Sequence, residues 1–157
     1  MRDAADFMEL AVAEACRGVR ADDGGPFGAV IVRGHEVVGV AHNRVLLDQD
    51  PTAHAEMLAI RAACAHLHTH DLRGTVLYAT CEPCPMCLGA VFWAQIDAVY
   101  YAHSREDAAA MGFGDASFHE QFGLPPEDRK LPMKQAFPEL AAPLMQLWLD
   151  KANRRVY

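Results

Sequence analysis

Cys81-Glu82-Pro83-Cys84-Pro85-Met86-Cys87 is the stretch on which the reading of this chain turns, together with His54-Ala55-Glu56 upstream. Thr75 to Ala79 precedes the cysteines and reads as a buried strand. Pro83 suits the first position of the next helix, which the pattern carries to about Gln95. Cys84 and Cys87 then stand three apart in a first helical turn and present their sulfurs on one face. The helix dipole and the free N–H groups there favour thiolates. His54-Ala55-Glu56 also stands at a helix entry, in a segment predicted from about Ala53 to Leu67 after Pro51-Thr52. One imidazole and two thiolates make a donor set suited to zinc. Three protein ligands leave a tetrahedral position open, as catalytic zinc sites do and structural ones do not. Cys81 lies outside the helical turn, beyond Glu82-Pro83, and is not expected to ligate. An iron–sulfur reading needs a further cysteine at position 91, which is Val.

Working outward, Ala4 to Arg17 places Phe7, Leu10, Ala11, Glu14 and Ala15 at near-helical spacing, and Gly18 is predicted to end that helix. Asp22-Asp23-Gly24-Gly25-Pro26 is a strong breaker. Phe27 to Arg33 and Glu36 to Ala41 are β-branched runs joined by Gly34-His35, which predicts an antiparallel hairpin. A polar loop, His42 to Asp50, leads to the His54 helix. Asp97 to Ala102 is predicted as a further buried strand, and the later strands as parallel because helices separate them. The order α-β-β-α-β-α-β argues for a layered α/β domain. The tail carries Pro125-Pro126, a short strand around Leu131 to Ala136, and a final helix from about Leu140 to Asn153.

Composition limits the function classes. The chain has 157 residues, 52% of them apolar and 22% charged, which is globular in character. The net charge of −7 argues against a broad grip on nucleic acid or an anionic membrane. The longest apolar run, Met86 to Ala94, is far too short to span a bilayer. Met1-Arg2-Asp3-Ala4-Ala5-Asp6 lacks a signal-peptide core. These features predict a soluble, cytoplasmic, single-domain protein over 1–157. The five cysteines, three of them clustered, then read as metal chemistry rather than a disulfide framework. Cys16 and Cys64 are expected to be helix packing.

Glu56 reads in two ways. It is a first-turn acid placed by the helix dipole, or an acid that carries protons between a metal-activated water and a substrate. A capping box is excluded, because Ala53 has no side-chain oxygen. His-Ala-Glu followed by Pro-Cys-x-x-Cys is the arrangement of zinc-dependent nucleobase deaminases. The chain thus resembles the cytidine deaminase-like superfamily. The resemblance implies a three-layer α/β/α sandwich around a mixed five-stranded sheet. It further implies one Zn2+ per chain held by His54, Cys84 and Cys87, with Glu56 as proton shuttle and zinc-bound hydroxide attacking the amino-bearing ring carbon.

A closer resemblance lies with the bacterial guanine deaminases of this superfamily. It is carried by Gly25 to Val32, Asp50 to Glu56, Cys81 to Gly89, Gly112-Phe113-Gly114-Asp115 and a C-terminal helix followed by an aromatic terminus. It implies hydrolysis of guanine to xanthine and ammonia, with a small nucleobase as partner and neither nucleic acid nor membrane. Asn43, Asp115 and Tyr157 are the implied substrate-binding residues, with Glu120 as the alternative second acid; Ala55 and Phe27 are expected to line the substrate pocket as well. It also implies a homodimer that exchanges C-terminal segments of about 138–157, Tyr157 closing the partner's site. Without the resemblance, Asn43 and Asp115 are ordinary turn residues, and Phe27 and Trp93 ordinary packing. His66, His68 and His70 lie at a helix exit and are assigned no function, as are Arg154 and Arg155. A tRNA adenosine deaminase shares the same core motifs but needs a cationic surface; a cytosine deaminase is the weaker alternative. A purely structural zinc module leaves Glu56 and the open ligand position unexplained.

Overall fold

The computed structural model describes residues 3–157. Met1 and Arg2, the start of the acidic N-terminal stretch, lie outside the described residues. The chain divides into two compact units, one ending at Asp115 and one spanning Ala116–Tyr157. The first contains helix α1 (Ala4–Arg20), strands β1 (Gly28–Arg33) and β2 (Glu36–His42), and the short helix α2 (Val45–Asp48). It continues with α3 (Ala55–Leu67), β3 (Thr75–Cys81), α4 (Pro85–Ala94), β4 (Ala98–His103) and α5 (Arg105–Ala110).

The strands form one sheet in the order β2-β1-β3-β4. β1 runs antiparallel to both β2 and β3, and β3 runs parallel to β4. β2, β3 and β4 therefore point the same way. The expected mixed sheet is present, but it has four strands rather than five among the described residues. The stretch 131–136, expected as a strand, is irregular.

Period-two alternation along β1 divides the core between two faces. Ala29 and Ile31 pack with Val38, Leu77 and the Ala55-Ala59-Ala63 stripe of α3. Val30 and Val32 pack with Tyr78 and with Phe7 and Ala11 of α1. Helices thus cover both faces, giving the α/β/α layering. Fully burying Ile31, Leu72 or Leu77 contributes about 1.5–3 kcal/mol each. The α3 face is tight because its contact residues are alanines. A register shift between Ile31 and Val32 leaves Val38 as the extra residue of β2, and Gly39 meets α3 directly.

Several predicted boundaries move, each for a local reason. α1 does not stop at Gly18 but continues to Arg20, because Ala21 caps it through Arg17. The polar loop after β2 contains α2. The Pro at the first position of α4 is Pro85, not Pro83, with Cys84 as N-cap. β4 is not buried: as an edge strand it leaves Tyr100 55% and Tyr101 49% exposed. Trp93, expected as packing, is 67% exposed.

The second unit holds α6 (Ala116–Phe122), a 3-10 turn (Pro126–Asp128) and α7 (Pro138–Asp150). α7 starts and ends earlier than predicted because Pro138 supplies its first position and Lys151 returns to extended backbone. Arg129 Nε donates to the Leu124 carbonyl at 3.0 Å, and Lys130 N–H to Gln121 Oε1 at 2.6 Å. Leu140, Leu144, Met145, Leu147 and Leu149 of α7 are exposed. No helix among the described residues is long and apolar enough to cross a membrane.

Candidate active site

The sheet topology brings the motifs together. α3 follows β2, and α4 follows β3. The two strands are parallel, so both helices begin at the same edge of the sheet. β1 runs the other way, which puts Phe27 at that edge too. The carboxyl ends of strands in open α/β sheets are where ligands bind.

His54 is the N-cap of α3 and Cys84 the N-cap of α4, both with extended backbone and neither making a side-chain cap bond. N-caps are usually Ser, Thr, Asp or Asn serving the helix; here these side chains are left to meet each other. His54 Nδ1 lies 3.6 Å from Cys84 Sγ and 3.5 Å from Cys87 Sγ. A tetrahedral zinc with ordinary Zn–S and Zn–N lengths sets its S···N edges at about 3.6 Å. The three ligand atoms all lie within 4.8 Å of one another, and no other group of three such residues is found among the described residues. The donor set and its spacing fit zinc.

The electrostatics agree. Cys84 is pulled down to about 4, first by the Cys87 thiol hydrogen bond and next by His54. Cys87 is pushed up by the Cys84 thiolate beside it and by burial. His54 is raised, chiefly by Cys84. One anionic sulfur facing a second thiol and an imidazole is a site prepared for a cation. Cys81 points elsewhere: its Sγ donates to the Ser104 carbonyl at 3.5 Å, and burial raises the thiol to about 11.

Glu56 is buried at 7% exposure beside the cysteines, and burial raises its carboxyl above the ordinary range. A first-turn acid serving only the helix dipole would face water. This one faces the sulfurs and is bonded to Cys87 and to its own backbone N–H. A carboxyl whose burial raises its affinity for a proton is suited to carrying one.

Around this centre, Asn43 is 5% exposed, and its N–H donates to the Phe27 carbonyl at 2.9 Å. Arg44 N–H donates to the Ala53 carbonyl at 2.9 Å, tying the Asn43 loop to the residue before His54. Asn43 Oδ1 accepts from Gly25 N–H and Val45 N–H, each at 3.2 Å. Two backbone donors on one atom identify it as the oxygen. Ala55 is fully buried at the first position of α3. Asp115 is half-buried, and its charge reaches Arg105, whose N–H donates to Glu82 Oε2 at 3.2 Å. Tyr157 is 73% exposed and Glu120 is exposed, both in the second unit.

Sequence reasoning passed over two residues. Phe113 meets Phe27 edge-on, with ring centroids 5.0 Å apart; an aromatic held between Gly112 and Gly114 in a surface segment was the available signal. His42 is buried between two carboxylates, and a histidine adjoining Asn43 gave little to see in one dimension. His66 pairs with Glu36 at 3.2 Å on the surface, and His68 is the left-handed cap of α3.

A three-ligand zinc centre at two helix entries, with a buried carboxyl beside it, defines a zinc-dependent deaminase fold and site. The chain belongs to the cytidine and deoxycytidylate deaminase zinc-binding family, whose model matches residues 1–103. It is 45% identical to the guanine deaminase of Bacillus subtilis (strain 168) over 152 residues, covering 96% of this chain and 97% of that protein. The X-ray structure of guanine deaminase from Bacillus subtilis superposes with a TM-score of 0.94 at 44% identity, covering 99% of each chain. The tRNA-specific adenosine deaminase of Aquifex aeolicus (strain VF5) is 45% identical over 96 residues, covering 61% of this chain and 63% of that protein.

Proposed function

We propose that this protein hydrolyses guanine to xanthine and ammonia. The observation that carries the reading is the extent of similarity: the match to a guanine deaminase covers 96% of the chain, whereas the match to a tRNA deaminase covers 61%. The −7 charge favours a free base over RNA for the same reason as before.

His54, Cys84 and Cys87 would hold the zinc, which would supply a water made nucleophilic near neutral pH by its lowered pKa. Glu56 takes one proton as the water oxygen bonds to the amino-bearing ring carbon and passes it to the ring nitrogen. It then takes the second proton from the newly added hydroxyl and passes it to the departing amine, so the C–N bond breaks, the carbonyl forms and ammonia leaves. Asn43 offers its Nδ2 hydrogens to acceptor atoms of the base, since Oδ1 is taken by two backbone donors. Ala55 N–H, at the first position of α3, has no partner within the helix and can donate to the ring as well. Phe27, backed by Phe113, offers an aromatic edge to the base, and Asp115 is the second acid in this reading.

The protein acts as a homodimer with exchanged tails in this account, and Tyr157 closes the partner's site. An isolated helix the length of α7 is marginal in water, and its apolar residues are exposed; in the first unit, Phe92, Tyr100 and Tyr101 are exposed as well. Five free cysteines fit a cytoplasmic setting.

The test is Glu56→Gln. The variant keeps one zinc per chain and loses turnover of guanine by about 10² or more. Near-normal turnover in the zinc-loaded variant contradicts the shuttle role.

A further inference from the structure

His42 ends β2 at 3% exposure. Its Nδ1 lies 2.8 Å from Glu14 Oε1 and its Nε2 lies 2.7 Å from Asp23 Oδ2. Both bonds are made at once when both ring nitrogens carry hydrogen, and each is then charge-assisted. Arg17, 3.2 Å from Nδ1, completes the group by pairing with Glu14. Glu14 is correspondingly lowered, by Arg17 first and His42 next.

α1 is shaped to receive this ring. Gly18 costs the helix about 1 kcal/mol relative to alanine. Yet a Cβ there would lie 2.3 Å from His42 Cδ2 and 2.7 Å from Cγ. The glycine is the space the imidazole occupies.

The far side of the ring leads to Asn43. Asp23, held by Nε2, accepts through its carbonyl from Leu46 N–H at 3.1 Å and Leu47 N–H at 3.0 Å, at the start of α2. A Cβ on Gly24 would lie 2.2 Å from Asn43 Oδ1, and Gly25 N–H donates to that oxygen. The run from Asp23 to Gly25 is therefore fixed at one end by His42 and at the other fixes the Asn43 amide.

We propose that His42 is a positioning residue for substrate binding: by anchoring Asp23 it holds the glycine loop that turns the Asn43 amide toward the purine. The inference rests on the reading of Asn43 as a base-binding residue. His42 touches neither substrate nor metal in this account. Its effect is on where the Nδ2 hydrogens point.

The experiment compares His42→Gln, Asp23→Ala and Asn43→Ala in the zinc-loaded full chain, by steady-state ammonia release from guanine with zinc content measured alongside. Asp23→Ala keeps the backbone carbonyl that α2 uses, so it carries the test if the buried His42→Gln variant fails to fold. The expected result is a KM for guanine raised about tenfold in His42→Gln and Asp23→Ala, with kcat within about twofold and zinc retained. Asn43→Ala raises KM at least as far. A role confined to stability lowers the active fraction, and so kcat, without moving KM. Unchanged KM in His42→Gln and Asp23→Ala, with KM raised in Asn43→Ala, overturns the positioning role alone. Unchanged KM in Asn43→Ala overturns the Asn43 reading and this inference with it.

Discussion

Replacing Gly39 by alanine tests how the fold sets the catalytic geometry. A Cβ at this position of β2 would lie 2.4 Å from the Ala59 carbonyl oxygen and 3.1 Å from Ala63 Cβ. Ordinary contact begins near 3.4 Å, so the new methyl intrudes by about 1 Å on helix backbone that cannot rotate away. α3 must lift from the sheet by a comparable distance. Overpacking of this kind costs about 1–3 kcal/mol, which lowers Tm by about 2–10 °C for a domain of this size. α3 also carries His54 at its N-cap and Glu56 in its first turn. Metal–ligand distances tolerate only about 0.2 Å, and a misplacement of about 1 Å in catalytic groups costs about 10²-fold. Gly39→Ala is therefore expected to fold, melt lower, bind zinc more weakly and lose kcat/KM for guanine by one to two orders of magnitude, about 10–10²-fold. The assays are thermal unfolding, chelator competition and ammonia release. Wild-type Tm together with wild-type kcat/KM refutes the reasoning, because it means α3 does not rest on Gly39.

Cys81→Ser is expected to retain one zinc per chain, since the Cys81 thiol donates to Ser104 rather than facing His54; metal loss by elemental analysis shows a ligand miscounted. Deleting Val156 and Tyr157 is expected to raise KM for guanine and leave zinc unchanged, and unaltered kinetics remove the lid role. Glu14 is held below its usual carboxyl range by Arg17 and His42. Its contribution to stability is thus present above about pH 4.5 and is lost as pH falls through the lowered value. In urea titrations Glu14→Gln should start less stable at neutral pH and lose less stability than the wild type below pH 4.5. Parallel losses contradict that sign.

The metal centre was legible in the sequence because its ligands sit at fixed spacing on two helix entries. His-Ala-Glu and Pro-Cys-x-x-Cys state the chemistry locally, and α/β alternation implies that such entries share one sheet edge. The hairpin and the parallel β3–β4 pair were legible for similarly local reasons. The burial of β4 was not: an apolar run such as Val99-Tyr100-Tyr101 reads the same whether a strand is central or at an edge. The fifth strand was not: Leu131 to Ala136 carries apolar residues, yet the stretch is irregular and the sheet has four strands among the described residues. The His42 group escaped notice because Glu14, Asp23 and His42 come from three separate elements and meet only when α1 closes on the sheet. Gly18 was legible as a glycine but not as the space for an imidazole, since a helix stop and a packing hole carry the same letter.

The central claim is that this zinc centre serves guanine. Ammonia release by the zinc-loaded protein, measured in parallel on guanine, cytosine, adenine, guanosine and tRNA, tests it most directly. The account predicts stoichiometric conversion of guanine to xanthine, with kcat/KM for guanine above the other substrates by about 10² or more. Deamination of tRNA in preference to guanine contradicts it.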